Sequence, residues 1–154
     1  MRFGARQFGA LYASSRVYDM PKKEILLVYD KQCPVCDNYC RLVRMRESVG
    51  DLQLVDARES TAVRDEITSA GLDIDQGMVL KLDGVLYYGS EAIHALALIS
   101  TRSGLFNRLN YWVFRSKALS RIVYPVLRVS RNLLLKLLGR SKINNLGIEN
   151  NDRF

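Results

Sequence analysis

The 154-residue chain is poor in the residues that build disulfide-stabilised or metal-centred domains, with three cysteines and one histidine. The cysteines lie together between Cys33 and Cys40, whereas a secreted disulfide framework spreads several pairs along a small chain. No second C-x-x-C pair occurs. The pattern argues against a disulfide scaffold. A zinc or iron–sulfur site would have to use Cys33, Cys36 and Cys40, with His94 as a fourth ligand.

Long hydrophobic segments are also missing. No uncharged apolar run reaches the roughly 18 residues that a membrane-spanning helix needs. The first residues lack the continuous apolar stretch of a signal peptide, so we predict a cytoplasmic protein. Residues 1–18 contain arginines and serines but no acidic residue, so an organelle-targeting segment is an alternative. A true start at Met20 is another.

Acidic residues are absent from a long part of the chain. Ala92 to Ile148 contains 10 basic residues and no acidic one, whereas Met1 to Glu91 contains 12 basic and 14 acidic residues. Nearly all of the net charge of +7 therefore lies in the C-terminal third. No recognition motif accompanies this charge, so we do not expect nucleic-acid binding.

Hydrophobic periodicity predicts alternating strands and helices. An apolar run predicts a buried strand at 24–30, and the cysteine segment predicts a helix at 33–47 that has Pro34 in its first turn. The remaining predicted elements are a strand at 51–57, a helix at 60–71 capped by Ser60 or Thr61, a hairpin at 77–89 around Asp83-Gly84, a helix at 90–100 capped by Ser90, and helices at 104–116 and 118–138, the last kinked or divided at Pro125.

This order is typical of an α/β domain with a thioredoxin-like βαβ-α-ββα core and additional C-terminal basic amphipathic helices. We predict a loosely ordered tail at 1–23 and the core at 24–101. A helical extension of the same domain follows at 102–142, and a second tail at 143–154. The chain is long enough for one domain with a real core.

The C-x-x-C pair falls where the first strand meets the first helix, which favours redox chemistry. Cys33 would lie at the helix N-terminus, where free N–H groups and the helix dipole stabilise a thiolate. Cys36, one turn deeper, is close enough to resolve a mixed disulfide. Pro34 and Val35 would tune the thiolate at the helix start. Asp30 either ends the strand and caps the turn, or accepts a proton while Cys36 resolves.

Two other interpretations of the three cysteines stay open. They could bind zinc or an iron–sulfur cluster, or all three could be small buried hydrophobes in a membrane-surface interaction protein. We expect Cys40 to face the core, with a second resolving thiol as the alternative. We expect His94 on a helix face, with a ligand or proton shuttle as the alternative.

The residues "YDKQCPVC" resemble the signature of the DCC family of predicted thiol-disulfide oxidoreductases, an Asp-x-x-Cys-x-x-Cys motif formed here by Asp30, Cys33 and Cys36. The resemblance covers about 24–140. It implies a thioredoxin-like fold, a disulfide-containing substrate and disulfide exchange; a separate thiol reductant would restore the pair, with no bound cofactor. Such enzymes place a cis-proline before the third strand, whereas this chain has Gly77 and Met78 there, which we predict as the substrate-facing loop.

The last predicted helix is amphipathic. Its basic residues, Lys117, Arg121, Arg128 and Arg131, project to one face, and its apolar residues project to the other, namely Leu119, Ile122, Val126, Val129, Leu133 and Leu137. The first interpretation is a helix packed through its apolar face, with a solvated basic face. The second is a peripheral helix that contacts an anionic membrane.

Overall fold

The computed structural model describes residues 24–43, 50–59, 61–102 and 104–154. Within these ranges it contains four strands and five helices in the order β1 (Ile25–Tyr29), α1 (Pro34–Leu42), β2 (Leu52–Asp56), α2 (Ala62–Ser69), β3 (Val79–Leu82), β4 (Val85–Tyr88), α3 (Ser90–Ile99), α4 (Leu105–Phe114) and α5 (Lys117–Leu137). The predicted 1–23 tail, the start at Met20 and the Ser60 cap lie outside the described residues.

The sheet has the order β2-β1-β3-β4, and β1 is its buried centre. β1 pairs parallel with β2 and antiparallel with β3, which continues into β4 as a hairpin. The hairpin turns at Asp83 and Gly84, both with positive φ, as a two-residue turn between twisted strands requires. This arrangement confirms the predicted α/β class with a thioredoxin-like core.

Helices cover both faces of the sheet because the side chains of β1 alternate between two cores. Ile25, Leu27 and Tyr29 pack with residues of α1 and α3. Val28 packs on the opposite face with Ile67 of α2. Cys40 lies in the first core and is 1% exposed, as expected.

Helix boundaries differ from the prediction in two places. α1 ends at Leu42 because Val43 has an extended backbone, so the helix does not continue unbroken to 47. α3 begins at Ser90 itself, and its N-cap is Gly89, which makes no side-chain capping bond; the predicted Ser90 cap is wrong. The N–H of Ile93 donates to the Gly89 carbonyl at 3.1 Å, so the helix starts one residue earlier than predicted and Ser90 lies inside it. Gly89 has φ of 57°, and a Cβ there would lie 3.2 Å from the ring of Tyr124. Thr61 caps α2 by accepting from the N–H of Arg64, as predicted.

The C-terminal helices pack on α3. Ile93 and Ala97 of α3 form a buried cluster with Phe114 of α4, and Val123 and Tyr124 of α5 pack against it. α5 is one continuous helix that contains Pro125, so the alternative of a helix divided there is wrong.

α5 does not pack through the apolar face that the first interpretation above predicts, although Lys117, Arg121 and Arg128 are exposed as it predicts. The apolar positions predicted to pack are exposed, with Ile122 70% and Val126 64% exposed, whereas the Arg131 side chain is only 12% exposed. The buried side instead carries Ser120 and Leu135. Arg131 points inward because its partners, described below, lie in the core domain. Among the described residues, no helix combines the length and apolar character needed to cross a bilayer.

Candidate active site at the start of the first helix

Cys33 lies in the turn between β1 and α1. Its N–H donates to the carbonyl of Asp30 at 3.0 Å, which closes the turn. Its Sγ caps α1 by accepting from the N–H of Cys36 at 3.3 Å. Pro34 occupies the first helical turn, where its missing N–H costs no hydrogen bond. The sequence therefore places a sulfur where a helix N-terminus supplies a free donor.

The environment favours a thiolate on Cys33. The pKa of Cys33 is lowered to about 6. The largest cause is a hydrogen bond from the Cys36 thiol, and the Cys36 N–H and the Arg131 guanidinium add to it, whereas burial opposes the shift. The same hydrogen bond to Cys33, together with burial, raises the pKa of the Cys36 thiol. Burial raises the pKa of Cys40 to about 12. All three cysteines are free, so Cys33 and Cys36 form a dithiol pair.

Access to the two sulfurs differs. Cys33 is 0% exposed, whereas Cys36 is half-buried and lines a cavity. The positive charge of the Arg131 guanidinium in α5 helps to lower the pKa of Cys33. Of the two residues, Cys36 is therefore the one that faces the cavity, whereas Cys33 is the one whose pKa is lowered.

Asp30 is a buried carboxylate held by two arginines. Arg58 binds it through two N–H groups, Nε to Oδ1 at 2.8 Å and Nη2 to Oδ2 at 3.2 Å. Arg131 approaches Oδ2 at 3.6 Å, and the N–H of Gln32 donates to Oδ1 at 3.0 Å. Asp30 thus caps the turn, as one interpretation predicted, and it also anchors Arg131 beside Cys33. Both of its oxygens are engaged.

Gly77 and Met78 line the same cavity as Cys36 and Val35, so the predicted substrate-facing loop and the helix start meet there. All peptide bonds in the described ranges are trans. Gly77 is required by close packing, because a Cβ would lie 2.7 Å from the Tyr124 hydroxyl.

The side chains proposed for a metal site do not converge. His94 is half-buried, and its Nδ1 lies 2.8 Å from the carbonyl of Phe114. In the part of the chain that the structure describes, no group of three or more His, Cys, Asp or Glu side chains is arranged to hold a metal ion. The geometry supports a redox pair better than a ligand cluster.

Sequence reasoning missed the residues that connect α5 to the site. Arg131 was assigned to a solvated face, and Arg58 was not singled out. Asp75 is fully buried; its carboxylate accepts from the N–H groups of Ile143 and Asn144 at 2.8 and 2.7 Å, and its carbonyl accepts from Arg131. Burial raises the pKa of Asp75. The only sequence signal for an inward-facing Arg131 is a charged residue among apolar residues at helical spacing. A helix with a solvated basic face shows the same pattern.

The fold and the paired cysteines define a thioredoxin-like protein with a dithiol site. A family model described as DCC1-like thiol-disulfide oxidoreductase matches residues 27–137, and the chain belongs to this family. The resemblance seen in the sequence is thereby confirmed, and the protein is a thiol-disulfide oxidoreductase that exchanges electrons between disulfide substrates and a reductant. No curated protein and no solved structure matches the chain.

Proposed function

We propose that Cys33 is the attacking thiolate and Cys36 the resolving thiol. The observation that supports this assignment is the position of the Cys33 sulfur at the start of α1, where it accepts from the Cys36 N–H and where Cys36 and Arg131 lower its pKa. A thiolate near the helix N-terminus is the nucleophile in disulfide exchange.

The exchange balances within the pair. Cys33 Sγ attacks one sulfur of the substrate, a new S–S bond forms and the substrate disulfide breaks, releasing a thiolate. This thiolate takes the Cys36 proton, after which Cys36 Sγ attacks Cys33 Sγ and expels the second substrate thiolate, protonated by water. Two electrons pass to the substrate, and an external thiol reductant returns them. Because Cys33 is buried, the attack requires the residues around it to move so that its sulfur becomes accessible.

Titration of the thiolate tests the activation. The ultraviolet absorbance of the thiolate, measured on reduced protein, should rise with a midpoint of about pH 6, since the Cys33 pKa lies below its ordinary value. Absorbance is preferred to alkylation because Cys33 is buried. Arg131→Gln should move the midpoint upward, and Cys33→Ser should remove the step. A wild-type midpoint near the ordinary value of about 8.5 would contradict the assignment.

We also propose that α5 contacts an anionic membrane surface. The exposed apolar residues defined above form a stripe along α5, flanked by exposed Lys117, Arg121 and Arg128. No residue from Ala92 to Ile148 is acidic, and basic residues near an anionic leaflet contribute about 1 kcal/mol each. An apolar stripe beside basic residues is the pattern of an interfacial helix.

Vesicle co-sedimentation tests this contact. The full chain should bind vesicles rich in anionic lipid, release them at high salt, and bind zwitterionic vesicles weakly. The double variant Ile122→Asp/Val126→Asp should lose binding, whereas Val85→Asp, an exposed apolar position on β4, should not. Equal binding of all three proteins would refute a role for the stripe.

A further inference from the structure

A cavity of about 590 Å³ lies beside the cysteine pair, enclosed by α1, the loop before β3, α3, α4 and α5. Its volume is within the range of small-molecule sites, about 300–1,000 Å³. The walls are predominantly apolar, with contributions from Val35, Phe106, Leu109, Val113, Val123 and Leu127. Such a space favours a ligand with an apolar body.

The cavity reaches the cysteine pair through Cys36, whereas Cys33 is fully buried beside it. Cys36 forms part of its wall, and the Cys36 N–H lies 3.3 Å from Cys33 Sγ. Gly77 and Met78 form the wall of the same cavity at the end of the loop. A molecule that fills this space would place its bonds nearest Cys36 against the dithiol.

Two polar groups of the cavity could still bind a ligand, one as a hydrogen-bond donor and one as a positive charge. Asn110 is 5% exposed; its Oδ1 accepts from the Tyr39 hydroxyl at 2.9 Å, and its Nδ2 has no partner among the described residues. A buried donor without an acceptor is costly, so a ligand acceptor would stabilise it.

Arg128 also lines the cavity, is exposed, and makes no hydrogen bond or ion pair within the described ranges. It is a free cation suited to a carboxylate.

We propose that this cavity binds a small amphipathic disulfide, in its oxidised or dithiol form. Its apolar chain would fill the cavity, its sulfurs would meet the cysteine pair at Cys36, and its carboxylate would meet Arg128. The proposal rests on the exchange function above and names the class of its small-molecule partner. In the reductive half, the ligand dithiol attacks the Cys33–Cys36 disulfide and closes its own disulfide, and two electrons and two protons pass to the cysteines.

Dihydrolipoate and dihydrolipoamide are matched probes, because they carry the same dithiol and apolar chain and differ only in the carboxylate. We measure the rate at which each reduces the oxidised full-length protein, with dithiothreitol as the reference that lacks the chain. We expect dihydrolipoate to react about tenfold faster than dihydrolipoamide, the ratio for one favourable charge contact of about 1.4 kcal/mol. Octanoate, which fills the cavity without sulfur, should slow the reaction.

Variants locate the effect. Arg128→Gln should remove the advantage of the carboxylate, whereas Arg121→Gln, an exposed arginine outside the cavity, should keep it. Leu109→Asp should slow both probes, whereas Leu105→Asp, one turn away on α4 and outside the cavity, should not. Both leucines are exposed, so folding is preserved.

Equal rates for the two probes, or a ratio unchanged in Arg128→Gln, would overturn the proposal. Normal reduction of the oxidised protein by dithiothreitol in that case would leave the exchange function intact. A protein that forms no Cys33–Cys36 disulfide under any oxidant would instead refute the exchange function itself.

Discussion

Replacing Cys33 with serine is expected to reduce disulfide exchange by at least about 10³-fold, because the variant loses the nucleophile on which both steps depend. A serine hydroxyl fits the N-cap and can still accept from the Cys36 N–H, so the fold should persist. It cannot form an anion near pH 6. The measurement is turnover of a small disulfide with excess thiol reductant, alongside circular dichroism of the variant.

Cys40→Ser is the matched control for this substitution. Cys40 lies in the core one turn beyond Cys36 and has a raised pKa, so we expect it to take no part in the exchange. It should keep most of the activity at some cost in stability. Comparable activity in the Cys33→Ser and Cys40→Ser proteins would contradict the assignment of the nucleophile.

Replacing Asp30 with alanine should lower the free energy of unfolding by about 3–5 kcal/mol, the usual cost of removing one partner of a buried ion pair. Arg58 and Arg131 are largely buried beside the Asp30 carboxylate, with side chains 19% and 12% exposed. In Asp30→Ala both guanidinium groups would lose the negative charge that balances theirs. The turn would also lose the acceptor for the Gln32 N–H. Urea denaturation of the reduced protein measures the change.

Glu66→Ala provides the comparison, since Glu66 pairs with Lys81 at the surface and such pairs contribute little. Asp30→Asn keeps the shape and one acceptor, so it should fall between wild type and Asp30→Ala. A loss for Asp30→Ala no larger than that for Glu66→Ala would show that Asp30 does not anchor the two arginines.

The sequence was sufficient for the elements that local chemistry determines. The continuous apolar run of β1 can be buried only in a sheet centre, and Asp83-Gly84 suits a tight hairpin turn. Cys33 and Cys36 lie where a strand passes into a helix that begins with proline. These signals come from residues that are neighbours in the sequence, so they do not depend on contacts between distant parts of the chain.

The position of α5 could not be obtained in the same way. Periodicity shows which residues share a face of a helix, but it does not show which face packs. Arg131 turns inward because Asp30 and the Asp75 carbonyl, far away in the sequence, supply its partners. The apolar stripe that would ordinarily form the core is therefore exposed.

The most direct test of the central claim is to identify which sulfur carries the trapped substrate. The Cys36→Ser protein, treated with a small disulfide and digested without reductant, should yield a stable mixed disulfide on the peptide containing Cys33, as located by mass spectrometry. That adduct would establish Cys33 as the attacking thiolate and Cys36 as the resolving thiol. An unmodified Cys33, with the complementary Cys33→Ser protein trapping substrate on Cys36, would reverse the two roles and contradict the account.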